Sequence, residues 1–375
     1  MSSSSQTDIT FPDSLFDDRR ARLRERLDRL DLSYVLVTKP VDIFYLCGFK
    51  GSAGALLLGP RRARLWVDPR YTLQAREQCR GVGVNESREA LSKTIGAWLR
   101  RARVPALGYQ DAHLSCADFS RFREQAGRKG SPLRWRAMGA VLDELRMVKD
   151  RWEAERIRRA GALTAQVFRE VLPIVKPGAC ECDLAAELEY RMKRAGAEGP
   201  AFETIVASGP RGAWPHARAS GRPLRGGELV IFDLGAILAS YAADMTRTIY
   251  LGTPTRRARR LYESVAAAQR ETVRSLRPGL PAGQADVIAR QTLTRRGLGK
   301  LFTHSTGHGV GLEVHERPRL GRGEETPMPA GSVVTVEPGV YVEGYGGVRI
   351  EDTVLIAGAG PEVLTPADKE VWFTG

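Results

Sequence analysis

The second half of the chain passes twice through one series of features, and this duplication limits its possible folds more than any other trait. In the first pass Lys176-Pro177-Gly178 precedes Asp183, a helical run from Leu184 to Ala195, and Gly196. In the second, Arg277-Pro278-Gly279 precedes Asp286, a run from Val287 to Arg296, and Gly297. The two aspartates have the chemistry of N-caps and the two glycines that of helix stops. Each unit then leads to carboxylate-bearing β-like runs: Asp233 lies 56 residues past Pro177, and Glu337 lies 59 past Pro278. Duplicated helix–turn–helix–hairpin units predict an α+β domain with a pseudo-two-fold repeat, its two halves meeting at a common centre.

Four acidic residues mark that centre. They stand in Leu-Val-Ile-Phe-Asp233-Leu-Gly, Tyr241-Ala-Ala-Asp244-Met-Thr-Arg, Val-Val-Thr-Val-Glu337-Pro-Gly and Gly-Val-Arg349-Ile-Glu351-Asp-Thr. Each ends or interrupts an apolar run of the kind that makes a buried strand. A buried carboxylate is costly unless it is paired or binds a metal. A core salt bridge would account for one of them; four in two matching hairpins point to cations. With His308 between the pairs, five hard or borderline ligands can hold two divalent ions. Such a set suits Mn²⁺, Co²⁺, Zn²⁺ or Fe²⁺, not a thiolate-rich structural zinc site.

The chain has only five histidines. His304, His308 and His315 fall within twelve residues, and His216 lies in a Trp-Pro-His loop shortly before Asp233. His113, far from these, reads as an ordinary surface or core histidine. Gly307-His-Gly-Val-Gly311 lacks the strand-to-helix G-x-G-x-x-G context of a dinucleotide site. Its glycines suit close approach of backbone and substrate to the metals.

A length of 375 residues suggests two domains. Short runs at Tyr34-Val-Leu-Val, Ala55-Leu-Leu-Leu and Ala63-Arg-Leu-Trp-Val, with a helix over residues 14–30, predict an α/β domain over residues 1–145. Residues 1 to about 12 are expected to be disordered. Ile157, Ala160, Thr164, Val167 and Val171 recur at helical spacing, and Pro173 and Pro177-Gly178 end that helix. The catalytic domain is therefore expected over residues 146–375. The net charge of +13 comes almost wholly from arginines scattered along the chain, without a basic stripe or interleaved aromatics. This reads as a solvated surface, not a nucleic-acid interface. No apolar run is long enough to span a bilayer, and no secretory signal is legible at the N-terminus. Five cysteines without a CxxC pair suit reduced thiols in the cytoplasm.

At these residues the sequence resembles the pita-bread metallopeptidase superfamily, in its aminopeptidase P and prolidase branch, over nearly the whole chain. The resemblance implies two divalent metal ions, with manganese first and cobalt or zinc as alternatives. Asp244 and Glu351 would serve both ions, Asp233 would complete one site, and His308 and Glu337 the other. Glu337 would also act as general base, while His216 and His315 would stabilise the tetrahedral intermediate. His304 would line the proline pocket. Arg349 would orient the carboxylates and belong, with His304 and Arg319, to the substrate-binding set.

Within the branch, Tyr45-Leu-Cys-Gly48-Phe-Lys-Gly51-Ser-Ala-Gly54 and Trp66-Val-Asp68-Pro-Arg70-Tyr71 are similar to aminopeptidase P, where such segments shape a neighbouring subunit's site. The first expectation is accordingly an Xaa-Pro aminopeptidase, acting on proline-containing peptides as a homodimer or higher oligomer. The alternative is an Xaa-Pro dipeptidase, for which Arg319 or Arg322 would supply the cation for a dipeptide's free carboxylate. A non-catalytic pita-bread binding protein is a distant third, because all five ligands are present.

Overall fold

A computed structural model describes residues 12–127, 133–369 and 373–374. The expected disorder of the first residues lies outside the described part, apart from Pro12, which precedes the first helix. The chain divides into two compact units, Met1–Leu145 and Arg146–Gly375.

In the first unit, six strands form one mixed sheet: β1 (Val35–Val37), β2 (Ala55–Leu58), β3 (Ala63–Val67), β4 (Gly83–Glu86), β5 (Ala106–Tyr109) and β6 (Arg134–Ala137). Their order is β4-β3-β2-β1-β5-β6. The central strands β1 and β2 are buried along their whole length, as continuous apolar runs should be when both faces of a sheet are covered. The helices are α1 (Asp13–Asp28), α2 (Pro40–Cys47), α3 (Thr72–Gln78), α4 (Leu91–Ala102), α5 (Cys116–Ala126) and α6 (Val141–Met147), the last running across the division between the units. The Asp68-Pro-Arg70-Tyr71 motif makes a capped turn, in which Asp68 accepts from the Arg70 N–H at 2.9 Å. The Tyr71 hydroxyl lies 2.6 Å from that of Ser52.

The second unit opens with α7 (Arg151–Val171), whose Asp150 and Glu153 form a capping box. Ile157, Ala160, Thr164, Val167 and Val171 are all buried along it. Its first half continues through α8 (Glu181–Arg194), β7 (Gly199–Pro200), β8 (Ile205–Ser208), β9 (Leu229–Leu234), the hairpin β10 (Ala236–Leu238) and β11 (Tyr241–Ala242), and β12 (Met245–Leu251). The second half comprises α9 (Arg256–Ser275), α10 (Ala282–Arg295), β13 (Gly307–Gly309), β14 (Glu316–Leu320), β15 (Val333–Val336), the hairpin β16 (Gly339–Val342) and β17 (Gly346–Arg349), β18 (Asp352–Ala357) and β19 (Gly360–Val363). The final strand β20 (Phe373–Thr374) pairs with β12.

The duplication is visible in the connectivity. Strands β8, β9 and β12 are antiparallel neighbours, with the β10–β11 hairpin inserted between the last two in sequence. Strands β13, β15 and β18 repeat this order around the β16–β17 hairpin. This is the α+β pita-bread arrangement. Among the described residues no helix is long and apolar enough to cross a membrane.

The expected N-caps are a correction. Helix α8 begins at Glu181 after Cys180, and α10 at Ala282 after Pro281. Asp183 therefore sits in the first turn of α8, where an acid favours the helix dipole without capping. Asp286 is a fully buried interior residue of α10. Backbone bonds to distant segments set both starts instead: the Glu181 N–H donates to the Arg222 carbonyl at 3.1 Å, and the Ala282 N–H to the Thr326 carbonyl at 2.9 Å.

Candidate metal centre

The hairpin insertions place the four carboxylates at equivalent breaks in the two sheets. Asp233 is near the end of β9 and Asp244 immediately precedes β12; Glu337 follows β15 and Glu351 precedes β18. The two inner acids are secured reciprocally. The Thr353 hydroxyl donates to the Asp244 carbonyl at 2.7 Å and accepts from its N–H at 3.2 Å. The Thr246 hydroxyl donates to the Glu351 carboxylate at 2.6 Å, and the Glu351 N–H to the Thr246 carbonyl at 3.1 Å. Each half thus uses the threonine two residues past its own acid to hold the acid of the other half.

His308 enters from β13. Its Nδ1 lies 3.0 Å from the Gly309 carbonyl, so this nitrogen carries the proton and Nε2 keeps its lone pair. That lone pair points at Asp244 Oδ2 and Glu337 Oε1, at 3.6 and 3.4 Å. Asp244, His308 and Glu351 each offer a ligand atom within 4.8 Å of the others. Asp233 Oδ1, Asp244 Oδ1 and Glu351 Oε1 are buried and have no hydrogen-bond partner. Burial, reinforced by the neighbouring carboxylates, holds Asp244 and Glu351 well above the usual carboxylate range. Burial likewise raises Glu337, with Asp233 adding to the effect and Arg349 opposing it. Four crowded acids, three orphaned oxygens and an imidazole lone pair make a donor set that fits divalent cations.

All the expected site residues line one cavity of about 960 Å³: Asp233, Asp244, His308, Glu337 and Glu351, together with His216, His304, His315, Arg319 and Arg349. The His308 and His315 rings stand 4.3 Å apart. Burial and the neighbouring His308 lower the affinity of His315 for a second proton. His113 lies in the first unit, outside this cavity.

Arg349 is largely committed to the protein. It donates to Asp233 at 2.6 Å, the Tyr341 hydroxyl at 2.9 Å, the Pro215 carbonyl at 3.0 Å and Thr246 at 3.1 Å. A guanidinium has five N–H groups, so this geometry favours orienting the site over gripping substrate. Tyr341 in turn lies 2.8 Å from His304 Nε2, while His304 Nδ1 lies 2.8 Å from the Ser305 carbonyl. The ring therefore accepts from the tyrosine and stays neutral, burial and Arg349 pulling it down to about 4. Phe302 meets it edge-on at 5.1 Å. Tyr341 escaped sequence reasoning because Val-Tyr-Val reads as an ordinary strand; its position four residues after Glu337 was the available signal.

Arg319 is the cross-strand partner of His308 in the β13–β14 pair, which puts both side chains on the same face. It makes no ion pair or side-chain hydrogen bond among the described residues, and Arg322 lines the adjoining cavity with it. The next acid along, Glu316, is buried against Arg146 at 2.5 Å and Lys149 at 3.0 Å. Burial would raise its proton affinity, but the two cations prevail and hold it at about 2.

A metal-binding acidic centre in a duplicated pita-bread domain defines a metal-dependent peptidase. Family comparison agrees: residues 155–357 match metallopeptidase family M24, and residues 19–148 match the creatinase/prolidase N-terminal domain. The chain belongs to the M24 metallopeptidases, in the aminopeptidase P and prolidase branch. It is 36% identical over 360 residues to the Xaa-Pro dipeptidase of Pyrococcus furiosus, covering 94% of this chain and 99% of the relative. Similarity to the Pyrococcus horikoshii Xaa-Pro dipeptidase is 35% over 358 residues, covering 95% and 99%. A solved Xaa-Pro dipeptidase from Bacillus anthracis superposes with a TM-score of 0.91 at 32% identity, covering 96% of this chain and 100% of the other. The X-Pro aminopeptidase of Thermotoga maritima gives 0.86 at 32%, covering 93% and 100%.

Proposed function

We propose that this protein is an Xaa-Pro dipeptidase working with two divalent metal ions, manganese foremost, in a reducing cytoplasm. This replaces the aminopeptidase as the leading reading. The observation that carries it is Arg319, a guanidinium with no ion-pair partner among the described residues, on the cavity face directly opposite His308, where it can meet a proline carboxylate. The identity to Xaa-Pro dipeptidases along nearly the whole chain supports the same choice.

Asp233, Asp244, His308, Glu337 and Glu351 would hold the ions. When bound, such ions activate water and polarise the carbonyl under attack. Glu337 would take up the water's proton and pass it to the departing amine. His315 and His216 would donate to the developing oxyanion. Neutral His304, braced by Tyr341 and backed by Phe302, offers the proline ring an apolar wall without a competing charge. Arg319 would fix the product carboxylate and so exclude peptides extended beyond proline.

The aminopeptidase remains the second reading, on the likeness to the Thermotoga enzyme and the first-unit motifs. Turnover of an Xaa-Pro dipeptide and of its C-terminally extended tripeptide separates the two. A dipeptidase cleaves the first and leaves the second intact; comparable kcat/KM for both supports the aminopeptidase.

A further inference from the structure

Glu181 is the first residue of α8 and fully buried, yet it is no N-cap and lies outside the cavity. Its carboxylate receives five hydrogen bonds. Oε1 accepts from the Ser208 N–H at 2.8 Å and the Ser208 hydroxyl at 2.7 Å. Oε2 accepts from Arg211 at 3.0 Å, the Ser220 N–H at 3.2 Å and the Ser220 hydroxyl at 2.6 Å. Every donor lies on one loop, from Ser208 at the end of β8 to Ser220. Arg211 also donates across the loop to the Arg218 carbonyl. The loop carries His216 to the cavity, and its Pro215 carbonyl accepts from Arg349.

The other half of the domain repeats the device. Asp286, fully buried on α10, accepts from the Thr306 N–H at 3.1 Å and hydroxyl at 2.9 Å. Its ion-pair partner Arg290 donates to the Phe302 carbonyl at 2.9 Å and to the carbonyl of His304. In both halves, a buried carboxylate on the helix after the Pro-Gly turn fastens a segment that bears a cavity histidine. An incidental core ion pair would have no reason to recur in this relation.

We propose that Glu181 is a positioning residue that latches both feet of the 208–220 loop and acts on the reaction through His216. The proposal rests on the peptidase reading for its kinetic consequence, but not for the latch itself. A carboxylate can accept at both oxygens, whereas an amide must present N–H groups to donors on one side. Glu181→Gln therefore frees one foot of the loop and leaves its volume intact. A displacement of about 1 Å in a catalytic group can lower turnover about 10²-fold.

The test uses the full-length, metal-loaded protein in a double-mutant cycle. Glu181→Gln should lower kcat on an Xaa-Pro dipeptide by about 10²-fold with little change in KM. In a His216→Ala background it should cause little further loss, because the residue it positions is already gone. Additive losses in the cycle overturn the proposal and make Glu181 a residue of general stability. Amide hydrogen exchange provides the second readout: Glu181→Gln should speed exchange selectively over residues 209–220, and unchanged protection there also overturns it. If Glu181→Gln does not fold, Ser220→Ala carries both measurements with smaller expected effects of the same pattern. A wild-type protein inactive on Xaa-Pro substrates sinks the peptidase reading, while the exchange result still decides the latch.

Discussion

Removing the Arg319 guanidinium tests the substrate assignment at a single side chain. Arg319→Ala deletes the cation opposite His308 without touching a metal ligand or a buried hydrogen bond. A hydrogen bond to a charged partner contributes about 1.5–3 kcal/mol, or roughly 10- to 160-fold in kcat/KM. Arg319 is exposed, so solvent screening favours the lower part of that range, about 10- to 30-fold. The carboxylate is bound in both ground and transition states, so the loss should fall mainly on KM. The assay compares wild type and variant on an Xaa-Pro dipeptide and on the same dipeptide with its C-terminal carboxylate amidated. Wild type should prefer the acid, and the variant should lose that preference while its rate on the amide stays nearly unchanged. Equal losses on acid and amide, or no loss on either, would refute the carboxylate role.

Other perturbations carry equally definite expectations. His315→Ala should lower kcat by about 10²–10³-fold with a much smaller change in KM, as befits an oxyanion donor; unchanged steady-state kinetics would assign it to packing alone. Asp244→Asn should abolish binding of two metal ions by calorimetry, because that acid is expected to serve both; two retained tight sites would contradict the assignment. Chelated protein should lose thermal stability as pH rises from about 4.5 through about 7, the value to which burial lifts Glu337. The sign follows from a folded state that holds its protons more tightly than the unfolded one; a melting temperature rising over that window would reverse the electrostatic account. Glu316→Gln should cost about 3–5 kcal/mol in denaturant unfolding, since buried Lys149 would lose the carboxylate it pairs with and Arg146 would lose one of its two, keeping Glu313; a loss below about 1 kcal/mol would show that water reaches them.

The centre was legible in the sequence because burying a carboxylate is expensive, and four acids in apolar runs have few inexpensive explanations. The duplication was legible because Pro-Gly turns and helix lengths leave local marks. Helix starts were less so: Asp183 and Asp286 resemble N-caps by residue type, but tertiary bonds set the actual starts at Glu181 and Ala282. Asp286 pairs with Arg290 one turn along its helix, but its other partner, Thr306, is one that no local pattern identifies. The reciprocal threonines, Thr246 and Thr353, were also invisible, since threonine in a strand is ordinary and its partner lies in the other half. Tyr341 was missed because it reads as an ordinary strand residue, and Glu181 because its partners lie 27 to 39 residues along the chain. Residue type and spacing reveal what must be near the metals, whereas the groups that orient those residues come from distant parts of the chain.

The account stands most directly on metal titration of chelated protein, with hydrolysis of an Xaa-Pro dipeptide as the readout. Adding Mn²⁺ should restore activity up to two equivalents per chain, with Asp244→Asn remaining inactive throughout. Full activity in the metal-stripped protein, or a plateau at one equivalent, would contradict a two-metal peptidase built on these five ligands.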